Sequence, residues 1–319
     1  MSEIKFPQVV SVGCGIDVHK DIIVATIQKS NEQIETREFR AYTSSLKSLR
    51  EWCKTEHVTH VAMESTGVYW KPVYNVLEDA FEIILVNARH VKNVPGHKTD
   101  KKDSKWLSKL LLSGLLKGSF IPPKEIRELR DLVRYRKKII AQIAREKNRI
   151  IKVLEDANIK LSSVLSSVDG VVGTNIINSL IAGNVDINEL MKFYHGKIKT
   201  SKEEFRLALE GTITKHHRFM LQMHKDSIAE NEKLIARLDA EIDELVKQYQ
   251  IEISLLQTIP GVAKDSAISI ISEMGVDMSK FPNEHHLSSW AGMSPGNNES
   301  GGKKKLQKRF MGTNTFKAH

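Results

Sequence analysis

The chain has 319 residues, 40% hydrophobic and 27% charged, enough for two or three domains with their own cores, which excludes disorder throughout. Lys and Arg number 48 against 39 Asp and Glu, and the net charge of +9 points to a polyanionic partner such as nucleic acid. Two cysteines, Cys14 and Cys53, exclude a disulfide scaffold and fit two buried thiols in a reducing cytosol, and no apolar run approaches the ~20 residues of a membrane span.

The first ten residues carry Glu3, Lys5 and Pro7 and lack the apolar core of a signal peptide. Val12 to Val18 and Asp21 to Ile27 are β-rich runs joined by the polar turn His19-Lys20, and a third run near Ile34 to Tyr42 completes a predicted meander. Ser44 to Cys53 reads as a helix, His60 to Met63 as a strand ending at Glu64, Tyr69 to Ala80 as a helix and Glu82 to Val86 as a strand. Such alternation predicts a mixed sheet with helices on its faces.

After Pro122-Pro123 the period changes. Ile126, Leu129, Val133, Arg136, Ile140, Ile143, Lys147, Ile150 and Leu154 fall at alternating spacings of three and four, and so do Leu221, His224, Ile228, Asn231, Ile235, Leu238, Ile242, Leu245 and Tyr249. Two long helices of matching length around a weaker stretch, Glu155 to Met220, predict an antiparallel coiled coil with a small helical insertion; core helices of an ordinary bundle share the pattern. Further on, Thr258-Ile-Pro-Gly261 before a helix-like Asp265 to Met274 has the form of a helix-hairpin-helix, whose turn at Gly261 aims backbone amides at a phosphate, although Pro-Gly also makes a plain turn. The predicted domains are 1–120, 121–253 and a short 254–319.

The basic charge is local. Arg89 to Lys152 holds 19 Lys and Arg against 6 Asp and Glu, so all the positive excess lies at the end of the first domain and on the first long helix. Candidate nucleic-acid contacts there are Lys98, Lys101, Lys102, Lys105, Arg134, Lys137 and Lys138. A second focus follows Ser300, where Lys303, Lys304 and Lys305 are accompanied by no acid.

Against this background a few carboxylates stand out. Asp17 ends the first strand in Gly15-Ile-Asp-Val-His-Lys20, Glu64 ends a later one in Met63-Glu-Ser-Thr-Gly67, and Asp100 and Asp103 lie one helical turn apart in Lys98-Thr-Asp-Lys-Lys-Asp103. Carboxylates drawn together repel unless a divalent cation intervenes, and oxygen donors suit Mg²⁺ or Mn²⁺. Two such ions would stabilise both oxygens of an in-line phosphodiester displacement. Singly, each acid also reads as a turn or cap residue. His19 and Lys20 flank Asp17, where His19 would contact a phosphate or make a structural hydrogen bond.

These motifs, followed downstream by Thr258-Ile-Pro-Gly261 and Ser294-Pro-Gly-Asn-Asn-Glu-Ser-Gly-Gly-Lys303, resemble in order the DEDD transposases of bacterial insertion sequences, the insertion-sequence-110 group that includes Piv-type invertases. The resemblance implies an α/β RNase H-like, RuvC-type N-terminal domain with catalytic and metal-binding Asp17, Glu64, Asp100 and Asp103. It further implies a coiled-coil connector and a mostly α C-terminal transposase domain with a serine nucleophile, here Ser300. DNA as element ends and target, a structured guide RNA, a homo-oligomer (dimer or tetramer) and a bacterial cytoplasmic location are implied with it. Members of the group usually continue with further helices beyond the stretch matching Lys303 to Lys317, whereas this chain stops at His319.

The chemistry around Ser300 is also readable from the residues: Gly301 and Gly302 would let a phosphodiester approach, and Lys303 to Lys305 would neutralise charge developing on phosphorus. A plain polar loop shares this pattern, and Ser294 is the rival hydroxyl. Two other functions fit the same residues, a RuvC-like junction endonuclease using water and a catalytically decayed coiled-coil nucleic-acid-binding protein.

Overall fold

A computed structural model describes residues 9–31, 33–65, 67–87 and 103–293, with the backbone of two short strands at 299–300 and 303–304. The chain divides into two compact units, 1–121 and 122–319.

The first unit is a five-stranded mixed sheet, ordered β3-β2-β1-β4-β5, from β1 (Val12–Val18), β2 (Ile22–Lys29), β3 (Ile34–Arg40), β4 (His60–Glu64) and β5 (Glu82–Val86). β1, β2 and β3 form the predicted antiparallel meander, and β4 and β5 add parallel to β1. Alternation along the strands sends Cys14, Ile16, Ile23, Ala25, Ile27, Val61 and Met63 to one face. There they meet α1 (Thr43–Thr55), whose Leu46, Leu49, Trp52 and Cys53 recur at helical spacing, and Val73 and Leu77 of α2 (Trp70–Leu77). Both cysteines are buried in this core, and the Cys53 contact together with burial pushes the Cys14 thiol well above its ordinary range. The opposite face is covered by α3 (Asp103–Leu112), whose Leu107 and Leu110 pack on Val86.

The second unit is helical. Two helices, α4 (Lys124–Asp156) of 33 residues and α9 (Lys215–Leu245) of 31, run side by side for roughly 45–50 Å at 1.5 Å per residue. Their antiparallel sense is fixed by cross-helix pairs: Arg136 with Asp239, Glu146 with His224 at 2.8 Å, and Asp156 with His217 at 2.9 Å. α9 begins with a capping box in which the His217 amide donates to the Thr214 hydroxyl and the Thr214 amide donates to the His217 ring Nδ1. Of the predicted inward positions, Leu221, Asn231 and Ile242 are buried on α9 and Ile126, Leu129, Val133, Ile143, Ile150 and Leu154 on α4, where the middle departs, with Ile139 and Glu146 buried and Ile140 exposed. His224 draws Glu146 inward, and Lys147 turns out to Asp169.

Between the long helices lies the expected insertion, built from α5 (Leu161–Val164), α6 (Val171–Ile181), α7 (Ile187–Leu190) and α8 (Lys202–Leu207) around a core with Phe205, Ile176 and Leu161 at its centre. Beyond a 3-10 turn at Val246–Tyr249 come α10 (Gln250–Gln257), α11 (Lys264–Met274) and α12 (Glu284–Trp290). Ile253, Ala267, Ile268 and Ile271 share one core with Ile126, Leu129, Val133 and Ile242, so segments on both sides of residue 253 pack together. No helix among the described residues is long and apolar enough to cross a membrane.

Candidate metal and nucleic-acid site

Parallel pairing sets the first two acids side by side. Gly15 lies opposite Ala62 and Ile16 opposite Met63, and the next residue on each strand is Asp17 and Glu64. The two carboxylates therefore leave adjacent strands at their carboxyl ends, on one sheet face. That face is the one α3 covers.

The third acid is brought by close helix packing. A Cβ on Gly15 would lie 2.2 Å from the Ser104 carbonyl oxygen and 2.4 Å from the Ser108 amide nitrogen, and one on Gly13 would lie 2.8 Å from side-chain atoms of Leu111 and Leu112. Since Ser104 stands over Gly15 and Leu112 over Gly13, α3 runs antiparallel to β1. Its first residue, Asp103, therefore lies at the Asp17 end of the strand. Alternating glycines in a strand mark such a close backbone approach.

The electrostatics agree. Burial raises the Asp17 carboxyl above its ordinary range, and the charges of Asp103 and Glu64 push the same way, while His19 opposes them with Nε2 3.0 Å from the Asp17 Oδ2. The charges of Asp103 and Glu64 thus both reach Asp17 at this edge. Among the described residues, however, no three His, Cys, Asp or Glu side chains are grouped closely enough to hold a metal ion, and Asp100 lies outside the described residues. Carboxylate oxygens of this kind are donors that suit a hard dication such as Mg²⁺ or Mn²⁺.

The basic candidates fare differently. Lys20 and Lys105 are exposed near this edge, whereas Lys98, Lys101 and Lys102 lie outside the described residues. On α4, Lys137 and Lys138 are exposed. Arg134 is committed to a carboxylate: its Nε and NH2 groups each donate to Glu273 at 2.7 Å, and Glu273 is fully buried. Gly261 adopts a φ of +86°, which favours glycine, with open space where a Cβ would stand. Ser300 lies in β6 (Glu299–Ser300), paired antiparallel with β7 (Lys303–Lys304) so that Ser300 is opposite Lys303. Ser294 and Lys305 fall outside the described residues.

Sequence reasoning passed over the groups that seat α3. Thr26, Ser104 and Ser108 are buried polar residues on the α3 face, with Thr26 Oγ1 2.8 Å from Ser104 Oγ and Ser108 Oγ donating to Gln28 at 3.1 Å. The visible signal was Ser104 and Ser108 at a spacing of four, on the helix face they share with Leu107 and Leu111.

A mixed sheet whose parallel strands end in acids, beneath a helix that begins with another, is the arrangement expected of a DEDD transposase domain. Residues 14–159 match the transposase profile DEDD_Tnp_IS110, and residues 253–314 match the profile of the transposase IS116/IS110/IS902 family. The chain belongs to the IS110 family of transposases. Among its relatives, the transposase for insertion sequence element IS1533 of Leptospira borgpetersenii is 26% identical over 203 residues, which cover 60% of this chain and 57% of that protein. The y4qE protein of Sinorhizobium fredii, whose name also places it among the transposases, is 22% identical over 295 residues, covering 90% of this chain and 64% of that one. The chain thus spans about three fifths of the length of the curated relatives it matches.

Proposed function

We propose that the chain is a DNA transposase that cuts and rejoins strands with Mg²⁺ or Mn²⁺ held by Asp17, Glu64, Asp100 and Asp103 and with Ser300 as nucleophile. The observation that carries this reading is the in-register exit of Asp17 and Glu64 from adjacent parallel strands on the face where α3 starts with Asp103. A dication bound there supplies stabilisation of charge on the phosphodiester oxygens. His19 orients Asp17 through its ring nitrogen. Ser300, opposite Lys303, attacks phosphorus; the bond to the departing sugar oxygen breaks as the serine ester forms, so rejoining requires no nucleotide cofactor.

The same reading includes an RNase H-like first domain of RuvC type and a coiled-coil connector for assembly of a homo-oligomer. It adds a phosphate contact at the turn through Gly261, a structured RNA guide and work in a bacterial cytoplasm. The family match to both ends of the chain supports it, and the reading keeps the three-part division 1–120, 121–253 and 254–319 as part of the proposal. Asp17→Asn is expected to abolish strand cleavage and exchange while DNA and RNA binding persist; exchange at the unmodified rate would overturn the metal assignment. Products that carry free ends and no protein adduct on a denaturing gel would favour a water-dependent endonuclease instead.

A further inference from the structure

We propose that Gly15, Thr26 and Ser104 are positioning residues that set the height and axial register of α3 and thereby place Asp103 at the edge where Asp17 and Glu64 leave the sheet. The inference rests on the metal reading above and names what makes that site possible.

The placement follows from strand register. Gly15 pairs with Thr26 and Thr26 with Thr36, so the three form a row across β1, β2 and β3 on the face beneath α3. Gly15 lets the helix backbone descend to the sheet. A hydroxyl chain then pins it, with Thr36 Oγ1 2.9 Å from Thr26 Oγ1 and Thr26 Oγ1 2.8 Å from Ser104 Oγ. One helical turn later, Ser108 reaches Gln28, two residues beyond Thr26 on β2. Four helical residues advance about 6 Å and two strand residues about 6.7 Å, so the two rungs are commensurate. Sliding α3 by one residue would break both and part the buried Ser104 hydroxyl from Thr26, whereas Ser108 would keep its bond to the Lys105 carbonyl of its own helix. Thr26 is 0% and Ser104 4% exposed, so water does not replace the lost partner.

Ser104 adjoins Asp103 in sequence, and Gly15 is two residues before Asp17 on the same strand face. The upper rung is therefore coupled to the acids and the lower one, at Ser108, lies a turn away. This asymmetry separates positioning from mere stability. Groups that orient ligands typically cost 10–100-fold in metal affinity when removed.

The test is Mn²⁺ binding to the full chain, followed by the electron paramagnetic resonance of free Mn²⁺, with thermal melts of each variant taken without added metal. Ser104→Ala and Thr26→Val are expected to weaken Mn²⁺ binding about 10-fold or more. Thr26→Ser, which keeps the hydroxyl, restores it, and Ser108→Ala leaves it within about 2-fold while lowering the melting temperature comparably. Gly15→Ala must displace α3 and is expected to abolish binding; should it fail to fold, Ser104→Ala, which deletes a single oxygen, carries the test. Equal Mn²⁺ affinity in Ser104→Ala and the unmodified chain, or equal losses in Ser104→Ala and Ser108→Ala, would overturn the positioning role with the metal site intact. An unmodified chain that binds Mn²⁺ no better than Asp17→Asn would overturn the metal reading itself and the inference with it.

Discussion

Glu273 is where the basic stripe is most firmly built into the fold, and Glu273→Gln isolates its charge. The carboxylate is completely buried, forked by Arg134 and approached by Arg130 at 3.3 Å. Arg130 also donates to the Ser272 and Glu273 carbonyls, which the end of α11 leaves without helical partners. Burial pulls the Arg130 guanidinium below its ordinary range, and Glu273 counteracts it. Breaking one side of a buried ion pair costs about 3–5 kcal/mol because the other charge is stranded. The Arg134 side chain is 40% exposed and can turn to water, whereas Arg130 at 17% cannot do so fully, which places the expected loss near the lower end, about 3 kcal/mol. For a unit of this size that is a fall of roughly 6–12 °C in melting temperature, read by scanning calorimetry. The triple change Glu273→Leu, Arg130→Met, Arg134→Met removes the stranded charges and is expected to recover more than half of it. A fall under about 2 °C for Glu273→Gln, or no recovery in the triple variant, would refute the stranded-charge account.

Asp17→Asn is expected to leave the metal-free fold at least as stable as the unmodified chain at neutral pH. The folded-state carboxyl is raised above 3.8, so its unfavourable contribution sets in as pH climbs through that window, and the neutral isostere avoids it; an acid-to-neutral series of thermal melts checks this. Ser300→Ala should eliminate any protein–DNA adduct that survives a denaturing gel, and a persisting adduct would point to Ser294. Asp169, bonded by Lys147 and Ser167, is held down to about 2, so its contribution is present above 3.8 and lost as pH falls through about 2. With its side chain 47% exposed that contribution is under about 1 kcal/mol, and denaturant curves of Asp169→Asn and the unmodified chain should converge in strong acid. If α4 binds a phosphate backbone, Lys138→Gln should reduce the log–log salt slope of DNA affinity by about 0.9, whereas Arg134→Gln should leave the slope unchanged and lower stability.

What the sequence made legible follows one physical rule: local period. The meander, the strand ending at Glu64, Glu82–Val86 and the start of the long helix at Lys124 were all readable, because alternation and helical spacing report on a residue's own neighbours. Pairings were not. Nothing in the spacing of α4 distinguishes Ile139 from Ile140 as the inward residue, because the choice depends on which partner faces the next turn, and His224 settles it by drawing in Glu146. The fork of Arg134 on Glu273 was hidden for the same reason, since that acid lies 139 positions away on another helix. The acids themselves were legible as strand ends, but the close seating of α3 on Gly15 depends on a third dimension that composition does not carry.

The acids are held by the core, and the two cannot be separated. Strand pairing that buries Val61 and Met63 against α1 and α2 sends Ala62 and Glu64 to the other face by the two-residue period. A one-residue slip of β4 against β1 would turn Glu64 into the apolar core and Met63 out toward α3, so the hydrophobic term that selects the register also selects the site. Antiparallel pairing would have put Glu64 at the far end of the sheet from Asp17. Only β4 laid parallel to β1 brings both carboxyl ends to one edge, and only a helix running back along β1 starts there. The repulsion that Glu64 and Asp103 exert on Asp17 is thus imposed by favourable packing elsewhere in the unit, which is how a fold can keep charges together that would otherwise part.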